Sequence, residues 1–267
     1  MAAQRVILVT GATDGLGRRV AEKLASPGTL LLVHGRDGIR GQAVVDAITA
    51  SGGTATFHEV DFGSLHAVRR MAEAIAAAHP QIDVVINNAG IALPGGRRRV
   101  SDDGHELTFA VNYLAAFLLT RMLLPCLGRA RPSRVINVAS AGQSPIDFED
   151  VMLEQGYDGM RAYCQSKLAD IMFAFDLAEE RAGSNTVSAS LHPSTYMDTT
   201  MVRAAGIRPL NSVDTGAEAV LALVNNPSAA ISGRYFDVQR DARAHAQAYD
   251  VAARRKLREI SLELTGL

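Results

Sequence analysis

Thr10-Gly11-Ala12-Thr13-Asp14-Gly15-Leu16-Gly17 stands directly after an apolar run, residues 5–10, and directly before a segment of helical spacing, residues 16–26. That context decides the fold. Three glycines at a strand-to-helix junction permit a tight turn and let a pyrophosphate come close to backbone N–H groups at the positive end of the helix. The competing reading is a glycine turn that only packs helix on strand. The spacing is Gly-x3-Gly-x-Gly, and no Gly-Lys-Ser/Thr follows, which argues against a P-loop.

Outward from this junction, short β-branched runs alternate with longer helical segments, the pattern of a parallel sheet with helical crossovers. The spacing predicts strands over 5–10, 29–34, 54–60, 82–86, 134–139, 186–191 and 233–236. It predicts helices over 16–26, 38–51, 65–79, 102–129, 160–181 and 213–225. Several strands are almost wholly apolar, as strands buried on both faces should be. The expected architecture is α/β: one doubly wound, Rossmann-type parallel sheet of about seven strands with helices on both faces. No repeat or Pro/Ser-rich linker divides the chain, so residues 1–267 are expected to form one domain. Residues 141–159 and 193–209 break the rhythm after strand ends, at the edge where such sheets bind ligands, and are expected to line a substrate site.

A 48% hydrophobic and 21% charged composition argues against a disordered chain, and a net charge of −1 gives no general attraction to nucleic acid or anionic membrane. Residues 1–5 carry no basic leader, and no window approaches the roughly 20 apolar residues of a membrane span. Two cysteines, Cys126 and Cys164, are too few for a disulfide framework and fit a reducing cytoplasm. The seven histidines show no metal-ligand spacing, so no metal is expected.

The second predicted strand ends His34-Gly35-Arg36-Asp37, the tip that faces the adenosine ribose in a dinucleotide fold. An arginine there pairs with the 2′-phosphate of NADP. The alternative is Arg36 as a surface cation with Asp37 as the ribose acceptor of NAD. Asp61 closes the third strand, placed either to accept from the adenine amino group or to serve as a helix N-terminal acid. Asn87-Asn88-Ala89-Gly90 ends the fourth strand with residues small enough for a ring to lie on the backbone. Tyr163 and Lys167 are four apart and share a helix face. Only three of the 27 basic side chains are lysines (Lys23, Lys167 and Lys256), so a lysine here suggests a task a guanidinium cannot do; a core tyrosine with a solvated lysine is the bland alternative.

Together, TGATDGLG (10–17), NNAG (87–90), Asn112, Ser140 and YCQSK (163–167) resemble a short-chain dehydrogenase/reductase over the whole chain. AYCQSKLADIMFAFDLAEE (162–180), the long segment between Ser140 and Tyr163, and LHPS (191–194) are most similar to its retinol dehydrogenase and protochlorophyllide reductase-like branch. The resemblance implies Tyr163 as acid/base, Lys167 as the ammonium that holds the ribose and lowers the phenol pKa, Ser140 as carbonyl polariser, and Asn112 as orienter of a proton-relay water. The expected cofactor, NADP(H) ahead of NAD(H), would be contacted by Gly11, Thr13, Asp14, Gly15, Leu16, Gly17, Gly35, Arg36, Asp61, Phe62, Asn88, Ala89, Gly90, Tyr163, Lys167, Pro193, Thr195, Tyr196 and Thr199, with Thr200 the alternative to Thr199.

Elementary chemistry accommodates these roles. A phenol of pKa ~10 carries protons poorly at neutral pH until a nearby ammonium favours phenolate. A hydroxyl at Ser140 can donate to the oxygen that Tyr163 protonates. The chain departs from the family's pattern in having Ser194 where a glycine usually follows Pro193, which predicts a shifted backbone there. Arg97-Arg98-Arg99 reads as a solvated loop, with a clamp for an acidic substrate as the alternative. The expected function is NADP-dependent hydride transfer with a small carbonyl or alcohol substrate; the alternative is a non-redox NADP-binding cyclase, dehydratase or sensor. Oligomeric state stays open, a homodimer or homotetramer included.

Overall fold

The structure, a computed structural model, describes residues 4–267; Met1–Ala3, on which part of the leader expectation falls, lie outside the described residues. Among the described residues eight strands form one sheet in the order β3-β2-β1-β4-β5-β6-β7-β8. They are β1 (Arg5–Val9), β2 (Thr29–Gly35), β3 (Thr54–Glu59), β4 (Val84–Asn87), β5 (Ser133–Val138), β6 (Thr186–His192), β7 (Tyr235–Asp237) and β8 (Arg240–Ala242). Pairing is parallel from β3 through β7, in register Leu8↔Leu32 on one side of β1 and Leu8↔Val85 on the other. The chain winds outward from β1 to β3 and then crosses back to β4. The crevice between the C-terminal ends of β1 and β4 is therefore the switch point of the sheet.

Alternation along the strands feeds two cores, because successive side chains point to opposite faces. Leu8, Leu30 and Leu32 join one core with α3 (Leu65–Ala78), α5 (Ala115–Leu123), α6 (Gly159–Glu180) and α9 (Val251–Thr265). Ile7, Val9, Leu31 and Val33 join the other with α1 (Gly15–Leu24), α2 (Gly38–Ala50) and α8 (Val213–Val224). Each fully buried Leu, Ile or Phe stabilises by about 1.5–3 kcal/mol, so both layers contribute heavily.

Three departures from the sequence expectations have physical causes. The helix expected over 102–129 begins only at α4 (Leu107–Phe109), where the Glu106 carboxylate caps Thr108 N–H (3.0 Å) and Phe109 N–H (2.6 Å). It then passes through a π turn, Ala110–Leu114, before α5, and ends in a 3-10 turn containing Pro125. The run Leu107–Cys126 has a mean hydropathy of 1.6, long and apolar enough to span a membrane by composition, contrary to expectation, yet 72% of that window is buried inside the protein. Two helices went unexpected. In α9 the buried face is Ala253, Arg254, Leu257, Ser261 and Thr265, too polar to show an apolar stripe, while α7 (Thr200–Ala204) is a single short turn with no buried residue. The eighth strand returns antiparallel through Val238, whose φ of 57° has no glycine or asparagine to announce it.

Candidate active site

The switch point opens into a cavity of about 690 Å³. Its floor is the turn between β1 and α1. Gly11 takes a φ of 62°, and a Cβ there would stand 2.7 Å from Ala89 Cα; at Gly17 it would stand 2.3 Å from Gly11 O. Glycine is required because the end of β4 lies directly against the turn. Asn88 fixes that contact, donating from Nδ2 to Thr10 O (2.8 Å) and Gly11 O (3.1 Å), while Thr10 Oγ1 accepts from Asn88 N–H and Ala89 N–H. Asp14 caps α1 by accepting from Gly15 N–H (2.7 Å).

A residue the sequence reading passed over holds the turn from the other side. His34 Nδ1 accepts from Gly11 N–H (3.2 Å), which assigns the ring proton to Nε2, 3.1 Å from Val60 O. The ring stacks on Phe62 at 3.9 Å between centroids. Burial pushes the imidazole pKa down to about 4, so it stays neutral at physiological pH. Sequence offered only a histidine inside an apolar run.

Of the expected catalytic set, Ser140, Tyr163 and Lys167 all line the cavity. Ser140 follows β5, and its Oγ accepts from Gly142 N–H (3.0 Å). Tyr163 and Lys167 lie on α6, whose start is capped by Asp158. Lys167 is buried and donates to Val138 O (2.9 Å) and Asp170 Oδ2 (2.9 Å). Desolvation alone would push the ammonium down, but the charges of Asp170 and Tyr163 outweigh it and hold Lys167 above the ordinary lysine value. Burial pushes the Asp170 carboxyl up against the pull of Lys167. Asn112 sits behind the wall, in the π turn. Its amide donates to Ile91 O (3.0 Å) and Ser166 Oγ (2.9 Å), and its oxygen accepts from Ile91 N–H (2.7 Å), so it binds the segment after β4 to α6.

Among the other expected contacts, Gly11, Asp14, Gly15, Leu16, Gly17, Asn88, Ala89, Gly90, Pro193, Thr195, Tyr196 and Thr199 line the cavity, and so does Thr200. Thr13, Gly35, Arg36, Asp61 and Phe62 do not. Thr13 packs on Gly35, where a Cβ would meet its Cγ2 at 2.4 Å, and Phe62 is buried beneath His34. Arg36 is exposed and, among the described residues, forms no ion pair; Asp37 caps α2 by accepting from Arg40 N–H (3.0 Å). Asp61 accepts from Gly63 N–H (2.8 Å) in the turn before α3.

The expected substrate-lining segments divide unevenly. Residues 141–159 reach the cavity only at Ala141, Gly142 and Gly159, while Ile146, Val151 and Leu153 are buried in the core. Ala92 and Pro94, unmarked in the sequence, form wall instead. Residues 193–209 contribute densely. Ser194 is buried without a left-handed backbone, and the positive φ values of that loop fall on Tyr196, at 44°, and Gly206, at 71°. Arg98 of the triple arginine donates to Met152 O (3.0 Å), away from the cavity. Among the described residues no cluster could hold a metal.

The residues present fit a dinucleotide. A glycine turn at a helix N-terminus offers backbone donors to a diphosphate, and a lysine and a tyrosine face the same space. The sequence pattern described as short chain dehydrogenase matches residues 5–209. Retinol dehydrogenase 14 of Mus musculus is 33% identical, with 98% of this chain and 86% of that protein covered. An uncharacterized protein from Mycobacterium Paratuberculosis matches in structure with a TM-score of 0.82 at 28% identity, over 99% of this chain and 94% of the other. A short chain dehydrogenase from Shigella flexneri, solved with NADP, matches with a TM-score of 0.71 at 25% identity, over 89% of this chain and 98% of the other.

Proposed function

The chain belongs to the short-chain dehydrogenases and is an oxidoreductase that uses a nicotinamide cofactor, and from that premise we propose that it takes NADP(H) and acts on a carbonyl or hydroxyl carbon of a small organic molecule, with Tyr163 as acid/base. The bound nicotinamide supplies or accepts the hydride. In the reducing direction, Tyr163 gives its phenolic proton to the substrate oxygen while the Ser140 hydroxyl donates a hydrogen bond to the same atom, both acting where negative charge develops. Lys167 favours the phenolate that remains. Ala92, Pro94, Met197, Val202 and Ile207 give the same cavity an apolar wall, against which an apolar part of a substrate could pack.

Arg36 supports the choice of NADP. It is an exposed cation with no partner among the described residues, whereas Asp37 already serves as a helix cap. Arg40 adds a second cation nearby, reaching towards Asp37 (3.4 Å) and Asp14 (3.6 Å). Two free cysteines, Cys126 buried and Cys164 half-buried, suit a reducing cytoplasm.

The observation that carries this reading is the convergence of Ser140, Tyr163 and Lys167 with the glycine turn on one cavity. NADPH oxidation followed against a panel of ketones, aldehydes and quinones tests it. Turnover that falls by about a hundredfold or more in Tyr163→Phe is the expected result. NADPH binding without turnover on any substrate would favour a non-redox role on the same scaffold.

A further inference from the structure

Lys167, which lines the cavity, is held from behind by a second buried charge. Three residues further along α6, Asp170 presents Oδ2 to the ammonium at 2.9 Å, and the two side chains are only 7% and 5% exposed. A buried carboxylate is costly unless paired and hydrogen-bonded, so its presence beside this lysine needs a reason. The Asp170 backbone is anchored as well: its carbonyl accepts from Asn137 Nδ2 (3.2 Å), and Asn137 Oδ1 in turn accepts from Asn87 Nδ2 (2.8 Å). Two of the three Lys167 N–H donors are thus committed, to Val138 O and Asp170, and the ammonium is held at a fixed point of the cavity wall.

Building on the acid/base role of Tyr163, we propose that Asp170 is a positioning residue for that reaction: its carboxylate pins the Lys167 ammonium and offsets its charge, so that the Tyr163–Lys167 pair gives up its proton at a higher pH than the same pair without a counter-ion.

The electrostatics are simple because few charges reach the pair. On α6 they are Tyr163 and Asp170. From the π turn comes Tyr113, whose phenol burial and Asp170 push far up, so that it stays neutral. The other polar side chains of this network, Asn87, Asn112, Asn137 and Ser166, are uncharged. Removing one buried negative charge makes proton loss from the remaining pair easier, whichever partner gives the proton up. The sign of the effect therefore does not depend on how the proton is shared.

Asp170→Asn tests this, because the amide oxygen can still accept from Lys167 Nζ while the charge is gone. The readout is NMR titration of the cofactor-free protein carrying ¹³Cζ-tyrosine and ¹³Cε-lysine, with Tyr163→Phe and Lys167→Met assigning the signals. The first alkaline transition of the pair should move down by about one pH unit or more. A folded Asp170→Asn protein in which that transition stays put, even with a lowered Tm, would mean that Asp170 is only structural and would overturn the proposal. A second measurement needs no substitution at Asp170. In the unmodified protein the Lys167 signal should show an acidic inflection, above the usual carboxylate range, as Asp170 takes up its proton; a featureless Lys167 signal through that range also overturns it. Turnover is read separately. A shifted transition in a protein that reduces no carbonyl would leave Asp170 in place and remove the redox reading.

Discussion

Tyr163 delivers its proton only to the reacting oxygen, so Tyr163→Phe should lower kcat by roughly 10²–10⁴-fold while leaving the NADPH Kd nearly unchanged. Lys167→Ala should damage both quantities, because an ammonium that also donates to the cofactor stabilises the ground state as well as the transition state. Steady-state kinetics beside a binding titration separates the two. Arginine at position 167 should not restore activity, since Val138 O and Asp170 Oδ2 are spaced for a compact ammonium. At Arg36 the expected contact with the 2′-phosphate contributes roughly 1.5–3 kcal/mol that NADH cannot match. Titration calorimetry of Arg36→Asp should show the NADPH preference lost or reversed, and equal affinities in the unmodified protein would disprove the assignment.

Among the elements, the segment after β6 is expected to close over the bound cofactor. Asn211 Nδ2 donates to Thr195 O (2.7 Å), Asp198 N–H to Asn211 O (2.9 Å) and Leu210 N–H to Tyr196 O (2.9 Å), so residues 195–198 and 210–211 form a closed base. Met197 anchors that base against α8, at a point where a Cβ on Gly216 would lie 2.2 Å from its sulfur. The part expected to move is therefore α7 and its flanks, shorter than the whole of the lining segment 193–209. Hydrogen exchange should slow between residues 199 and 209 when NADPH binds, and an unchanged profile with cofactor bound would exclude a lid. The doubly wound sheet and the shared face of Tyr163 and Lys167 were legible in the sequence, because strand periodicity and the i, i+4 spacing are local signals, whereas Ser140 joined them only through the family resemblance. Asn112 too came only through the resemblance, and the π turn that carries it was not legible. His34, Ala92, Pro94 and the Lys167–Asp170 pair were not legible as a site, since each acquires its meaning from a neighbour far away in sequence or from burial. Tyr196 shows the same limit: the serine at 194 said that the loop differs, and only the folded backbone said that a non-glycine residue, Tyr196, turns left-handed in it.

For the molecule as a whole, His34 couples the sheet to acid. Its pKa is about 4 in the fold and about 6.5 in the unfolded chain, so the unfolded state binds more protons between those values. Stability from this residue is fully present above pH 6.5 and is lost as pH falls towards 4, by up to about 3 kcal/mol. Urea unfolding across that window should show the slope, and His34→Leu should flatten it while lowering stability at pH 7.5. The same molecule carries one connection whose consequence is a matter of timing. Thr200 Oγ1 donates to Asp14 Oδ2 at 2.7 Å, and Thr199 lies 3.2 Å from where a Cβ on Gly15 would stand, so α7 is latched to the glycine turn across the groove. Cofactor arrival then includes an opening step. In stopped-flow fluorescence the observed rate should level off as NADPH concentration rises, and Thr200→Val, which removes a hydrogen bond of about 1 kcal/mol, should raise that plateau roughly fivefold. Opening is therefore expected to precede nucleotide binding, with the same segment settling over the cofactor once it is seated.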